Sequence, residues 1–173
     1  MKQFIIGGMR SGKSRLAEQL AKDSGKNIIY VATSVANDKE MQARVIKHQQ
    51  YRPEDWQTIE EPIKLAEVLQ HNSRGDNYIL VDCLTLWLTN LLMSQSKSIL
   101  ESEIEQLINV LPKLPGEIIF VSNETGLGVI PMGELTRRFC DEAGLLHQKI
   151  AKICDRVIFT VAGLPHVIKG KDL

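Results

Sequence analysis

The chain is short of aromatic residues, of excess charge and of paired cysteines, and each shortage excludes something. Phe, Tyr and Trp make up 5% of its 173 residues, so a buried core has to be built from aliphatic side chains. Lys plus Arg and Asp plus Glu number 21 each, for a formal net charge of zero. A protein that holds nucleic acid through a broad basic field is thereby excluded, although one basic pocket for a phosphorylated ligand is not. The three cysteines, Cys83, Cys140 and Cys154, are odd in number and lack C-x-x-C spacing. They are expected to be small buried hydrophobes in a reducing compartment, neither disulfides nor zinc ligands. No apolar run reaches membrane-spanning length and no signal-peptide pattern opens the chain, so a soluble cytoplasmic protein is expected. Repeats, low-complexity segments and linkers are also lacking, and the length is that of one domain over residues 1–173.

What is present is an alternation of short apolar runs with helical periodicity. QFIIG, NIIYVAT, YILVD, EIIFVSNE and RVIFTVAG read as strands, the last of them closing the pattern. Between them lie KSRLAEQLAK, the polar DKEMQARVIKHQQ, and PIKLAEVLQH with Leu65, Val68 and Leu69 on one side. LTLWLTNLLM is apolar nearly all round, which means a buried helix or a subunit interface. ILESEIEQLINVL ends before a turn from Pro112 to Gly116. A last helix carries Leu135, Phe139, Leu146, Ile150 and Ile153 at helical spacing. Strands apolar on both faces and separated by helices predict an α/β fold, a mostly parallel sheet with helices on both faces. Ligand chemistry in such a sheet gathers at the C-terminal ends of the strands.

One of those ends carries GGMRSGKS. Gly7, Gly12, Lys13 and Ser14 fit G-x-x-x-x-G-K-[ST] between a strand and a helix, so the class is P-loop NTPase-like (RecA-like). Residues Gly7, Gly8, Met9, Arg10, Ser11, Gly12, Lys13 and Ser14 are the expected phosphate cradle. Its backbone N–H groups and the helix dipole would meet an anion, and Lys13 would neutralise the β and γ phosphates. The Ser14 hydroxyl would ligate Mg²⁺. A second metal carboxylate is expected at another strand end, and Asp82 supplies it; it could equally cap the helix that follows. Further polar clusters follow strands at Ala32–Ser34, at Asn123 and Glu124, and in the loop from Thr125 to Pro131. Gly126 and Gly128 there mean either close backbone approach to a ligand or only a turn.

On the polar helix, Arg44 and His48 are four apart and share a face. No Cys or His neighbours His48 at zinc-ligand spacing, so a metal site is not expected there, and a lone His on a polar helix is ordinarily just solvated. The surrounding pattern is more specific. GGMRSGKSRLAE, YVATS, DKEMQARVIKHQQYRPEDWQTIEEP, VDCLTLWLTNLL and VSNETGLGVIP follow one another in an order and spacing that covers nearly the whole chain. In this the chain resembles the bifunctional adenosylcobinamide kinase/adenosylcobinamide-phosphate guanylyltransferases of cobalamin biosynthesis.

The resemblance implies a covalent mechanism. The family's histidine attacks the α phosphorus of GTP, releases pyrophosphate and carries GMP as a phosphoramidate; the matching residue is His48. A neutral imidazole suits that role, and a cation such as Arg44 nearby would disfavour its protonation. The acceptor is adenosylcobinamide phosphate and the product adenosylcobinamide-GDP. In the kinase step ATP or GTP phosphorylates the aminopropanol hydroxyl of adenosylcobinamide, with Lys13, Ser14 and Asp82 the residues expected to serve it. The same resemblance places nucleotide contacts on Gly7–Ser14, on Thr33, Ser34 and Val35, on Gln49, Gln50, Tyr51 and Arg52, and on Glu60 and Asp82. It also implies a homotrimer with sites between neighbours. Two departures stand out: Lys47 precedes His48 where some members have a second histidine, and Asp82 replaces a Glu found in others. Two rival classes remain, besides a transferase-only member. A simple small-molecule P-loop kinase would need a lid, for which TRRFCDEAG with Arg137 and Arg138 is the nearest segment. A GTP-dependent switch would need N-K-x-D, which the chain lacks.

Overall fold

A computed structural model describes residues 1–35, 53, 55–94 and 96–173. The expected polar helix with Arg44 and His48, and the contacts placed on Gln49, Gln50, Tyr51 and Arg52, lie outside the described residues.

Among the described residues, seven strands form one sheet in the order β3-β2-β4-β5-β1-β6-β7. They are β1 (Lys2–Gly7), β2 (Asn27–Ala32), β3 (Gln57–Glu60), β4 (Asn77–Asp82), β5 (Glu117–Asn123), β6 (Arg156–Val161) and β7 (Leu164–Lys169). All pairings among β1 to β6 are parallel, and only β7 runs antiparallel, against β6. The helices are α1 (Lys13–Asp23), α2 (Leu65–Asn72), α3 (Leu84–Leu92), α4 (Lys97–Val110) and α5 (Glu134–Ile153). Among the described residues no helix is long and apolar enough to cross a membrane.

Alternation along the strands divides the core in two, because successive strand side chains point to opposite faces. Phe4, Ile79, Val81, Ile118, Phe120 and Val157 join the buried faces of α2, α3, α4 and α5 on one side. Ile5, Tyr30, Leu80, Ile119, Val121 and Ile158 pack on Ala17 and Ala21 of α1 on the other. The strands are apolar on both faces because both faces are covered.

Two strands escaped the expected pattern. β3 is four residues of mostly exposed side chains at one sheet edge, too short and polar to register as a strand by periodicity. β7 follows a two-residue turn at Ala162 and Gly163, both with positive φ, so RVIFTVAG does not close the sheet. Its Pro165 sits opposite Thr160, a residue type confined to edge strands because it has no N–H to donate. The last helix runs from Glu134 to Ile153 and contains the five apolar residues expected on it.

LTLWLTNLLM is a core helix in this fold. Leu84, Trp87, Leu88 and Leu91 are buried to within 1%. Two of its polar groups reach the segments beside β2 and β3: Trp87 Nε1 donates to Ile63 O at 2.8 Å, and Asn90 Nδ2 donates to Thr33 O at 2.7 Å and Pro62 O at 3.1 Å. α3 therefore holds the segments that leave β2 and β3. The Glu61 carboxylate accepts from the Ile63 and Lys64 N–H groups at 2.8 and 2.7 Å, satisfying donors just before α2 begins.

Trp87→Ala should lower unfolding free energy by about 3–5 kcal/mol, the usual cost of emptying a fully buried aromatic site. Met93→Ala, at a side chain 66% exposed, should change it by less than about 0.5 kcal/mol. Urea denaturation of both variants measures the contrast; equal midpoints would show that α3 is not a core element.

Candidate functional site

The parallel strands β1 to β6 end along one edge of the sheet, and the register decides what meets there. Gly7 lies between Asn123 of β5 and Thr160 of β6. Ala32 lies between Glu60 of β3 and Asp82 of β4. The backbone continues this stitching beyond the strands, through Glu61 N to Ala32 O at 2.9 Å, Thr33 N to Asp82 O at 3.2 Å and Glu124 N to Gly7 O at 2.9 Å. Thr33, Glu60, Asp82 and the phosphate loop thus share one edge.

The loop between β1 and α1 is built for an anion. A Cβ on Gly7 would collide with the Thr160 carbonyl oxygen. Gly12 caps α1 with φ 95°, a left-handed conformation that favours glycine. Arg10 is also left-handed, with φ 55°. The turn of the β6–β7 hairpin supports the loop from outside, Gly163 N donating to Ser11 O at 3.0 Å. No carboxylate sits in the first turn of α1, so nothing competes with a phosphate for its positive end.

Lys13 is buried, 6% exposed, and its Nζ donates to Gly8 O at 2.6 Å and Ser11 Oγ at 3.4 Å. Burial pulls its pKa below the usual lysine value, and the negative field of Asp82 opposes the shift. A partly desolvated cation facing loop amides is suited to gain from an incoming phosphate. Ser14 follows it in the first turn of α1.

Asp82 does not cap α3. Cys83 occupies the cap position, with no side-chain capping bond. The Asp82 carboxylate instead accepts a hydrogen bond from the Tyr30 hydroxyl at 3.0 Å, which fixes its direction. Thr33 is fully buried; its hydroxyl donates to Cys83 O at 2.7 Å and accepts from Cys83 N at 2.9 Å. Ser34 and Val35 emerge beyond it, Val35 being 42% exposed, and Glu60 is exposed at the end of β3. Burial pushes the Cys83 and Cys154 thiols up to about 12, so neither is a nucleophile near neutrality. Cys140 departs from the expectation of burial: it is only half-buried, its Sγ 3.6 Å from Thr125 O. Arg137 and Arg138 lie exposed on α5, and Arg137 is tied to the carbonyl oxygens of Pro131 and Met132.

A polar chain behind the edge was not anticipated. His147 Nε2 and Ser122 Oγ are 2.8 Å apart, Ser122 Oγ and Thr85 Oγ1 3.1 Å, and Thr85 Oγ1 accepts from Asn123 N at 2.7 Å. Three elements, α5, β5 and α3, are thereby tied at the strand end that flanks Gly7. Burial pushes the His147 pKa down to about 4, against the negative charge of Glu124, so the ring is neutral. One signal was present: His147 stands four residues after Ala143 on the apolar stripe of α5, where a polar side chain needs a buried partner.

Comparison with known proteins adds what this geometry alone does not. Residues 3–168 match the family model described as cobinamide kinase / cobinamide phosphate guanyltransferase. The chain is 56% identical to the bifunctional adenosylcobalamin biosynthesis protein CobP of Pseudomonas aeruginosa, over 100% of both chains. It is 35% identical to the bifunctional adenosylcobalamin biosynthesis protein CobU of Escherichia coli, over 96% of this chain and 98% of that one. Among solved structures, the flagellar accessory protein FlaH of Methanocaldococcus jannaschii matches with TM-score 0.55 at 14% identity, over 98% of this chain and 78% of its own. The ATPase EscN of enteropathogenic E. coli matches with TM-score 0.59 at 15% identity, over 92% and 41%. These two share the fold, a P-loop NTPase sheet.

The neutral state of His147 has a consequence for stability. Its folded pKa is about 4 against about 6.5 unfolded, so the unfolded chain binds the extra proton first. The histidine's contribution is present above about pH 6.5 and is lost as pH falls towards 4, by roughly 2–3 kcal/mol in all. Urea unfolding at pH 7.5 and pH 5 should show this loss in the wild type and a smaller one in His147→Gln. Equal pH dependence in the two proteins would show that His147 titrates normally.

Proposed function

The chain belongs to the cobinamide kinase / cobinamide phosphate guanyltransferase family, and from that premise we propose how one phosphate cradle serves two transfers in turn. The observation that carries this reading is the match over residues 3–168 falling on a formed loop with Lys13 buried in it.

In the kinase step, the loop amides and Lys13 hold the β and γ phosphates of ATP or GTP. The aminopropanol hydroxyl oxygen of adenosylcobinamide attacks the γ phosphorus, its proton leaves, and the bond to the β-phosphate oxygen breaks to release the nucleoside diphosphate. In the second step the same cradle holds the β and γ phosphates of GTP while His48 attacks the α phosphorus. The α–β bond breaks, pyrophosphate leaves, and GMP remains on the imidazole nitrogen. A phosphate oxygen of adenosylcobinamide phosphate then displaces the histidine, giving adenosylcobinamide-GDP and free His48.

Thr33 commits its hydroxyl to Cys83, so in this reading Ser34, Val35 and nearby backbone face the nucleotide, with Glu60 beyond them. Gln49, Gln50, Tyr51 and Arg52 join them from the segment of His48. Ser14 and Asp82 offer oxygen donors only, a set that fits Mg²⁺. Among the described residues no cluster of three or more His, Cys, Asp or Glu could hold a metal, so Ser14 and Asp82 are the residues that would hold the ion. An Mg²⁺ held by Ser14 and Asp82 would supply neutralisation of the charge developing on the phosphates. Tyr30 keeps the carboxylate turned to this use through one oxygen. Residues 1–173 act as one unit in this proposal, assembled as a homotrimer.

GTP labelled at the α phosphate, incubated with the enzyme and Mg²⁺ and then denatured, should leave acid-labile, alkali-stable label on the wild type and none on His48→Ala. Equal labelling of both would sink the histidine assignment. Lys13→Ala should lower both transfers by at least about a hundredfold, the scale for removing a charge that stabilises the transition state. Absence of phosphorylated product from adenosylcobinamide, where guanylylation proceeds, would reduce the proposal to the transferase step.

A further inference from the structure

A cleft of about 430 Å³ opens on the other side of the phosphate loop from Asp82, between the loop and the β6–β7 turn. Gly8, Met9, Arg10 and Ser11 form one wall and Phe159 to Ala162 the other, with Glu124 and Leu127 at its end. Leu127 belongs to the segment from Thr125 to Gly133, which leaves apolar side chains exposed: Leu127 is 80% exposed, Val129 96%, Ile130 77% and Met132 97%. Met9 adds 78% and Val161 53% from the two walls. Single exposed apolar residues need no explanation, but here Met9, Leu127 and Val161 line one cleft and Val129, Ile130 and Met132 follow Leu127 in the same segment.

The loop is built to hold this display. Both Glu124 carboxylate oxygens accept backbone N–H groups, Oε1 from Gly126 at 2.8 Å and Oε2 from Gly126 at 3.0 Å and Leu127 at 3.1 Å. The segment is therefore tied to the residue that follows β5, beside Gly7. With its oxygens engaged this way, Glu124 shapes the rim.

We propose that this cleft and rim form the acceptor site for the corrinoid, an inference that rests on the kinase and guanylyltransferase reading above. The acceptor has to reach the phosphate being transferred, and the cleft shares Gly8 to Ser11 with the cradle. Glu60, Ser34, Val35 and Asp82 line up at the opposite flank, which that reading gives to the nucleotide. A corrin macrocycle is too broad to enter a space of this size whole. It rests its apolar surface on Leu127, Val129, Ile130 and Met132, and its aminopropanol arm extends down the cleft towards the loop. Arg10, exposed on the cleft wall, supplies the complementary charge once that arm carries a phosphate.

The test is a double substitution, Val129→Asp with Ile130→Asp, at positions too exposed to disturb folding. Adenosylcobinamide phosphate binding is measured by equilibrium dialysis, alongside protein labelling by α-labelled GTP and sedimentation velocity. Corrinoid affinity should fall by about tenfold or more, since the contact surface becomes charged. Labelling by GTP and the sedimentation coefficient should not change. Unaltered corrinoid affinity overturns the proposal. So does a loss of affinity accompanied by dissociation of the enzyme, because the rim would then be a contact between copies of the chain. If the wild type takes no label from GTP while the variant alone loses the corrinoid, the acceptor site stands and the histidine assignment falls. Absence of corrinoid binding by the wild type overturns the acceptor role outright.

Discussion

The close passage of Gly7 between β5 and β6 is the constraint on which the rest of the molecule depends. A side chain there would run into the Thr160 carbonyl, so the strand carrying the phosphate loop can lie at the centre of the sheet only as glycine. Its position sets the neighbours on either hand: Asn123 and Glu124 from β5, Thr160 and the hairpin turn from β6. The loop that follows is then pinned from both sides, by Glu124 N on Gly7 O and by Gly163 N on Ser11 O. A cradle whose amides are already aimed pays no ordering cost when an anion arrives.

Rigidity at that edge comes from behind it. Trp87 and Asn90 of the mainly apolar core helix satisfy carbonyl groups of the segments leaving β2 and β3. His147, kept neutral by burial, joins Ser122 and Thr85 and so braces the end of β5. Both devices place a few polar groups inside apolar surroundings, where a satisfied hydrogen bond is strong and a broken one costly. The edge is therefore supported by directional bonds, while the two packed faces of the sheet supply most of the burial.

Much of this was legible in the chain. The phosphate loop, five of the strands and the buried character of LTLWLTNLL follow from spacing and composition, because those features are local. Asp82 at a strand end was legible too, although its partner Tyr30 was not. The short strand at Gln57–Glu60 and the edge strand at Leu164–Lys169 were missed, since one is polar and the other contains Pro165 in a run of exposed residues. The chain from His147 to Thr85 joins residues far apart in sequence, and only the His on an apolar stripe hinted at it. The rim loop was visible as glycines without a purpose; its outward-facing Leu127, Val129 and Ile130 became apparent only with their exposure.

By itself, then, the sequence determined the ligand class, the five parallel strands with apolar runs and the family, because each of these is written in residue identity at short spacing. Tertiary structure decided which flank of the loop carries Asp82 and which carries the apolar cleft. That assignment depends on strand order and register, which place Ala32 between Glu60 and Asp82 and Gly7 between Asn123 and Thr160. Strand order is set by how two faces of helices and strands close over a common core, and no local stretch of residues contains that information.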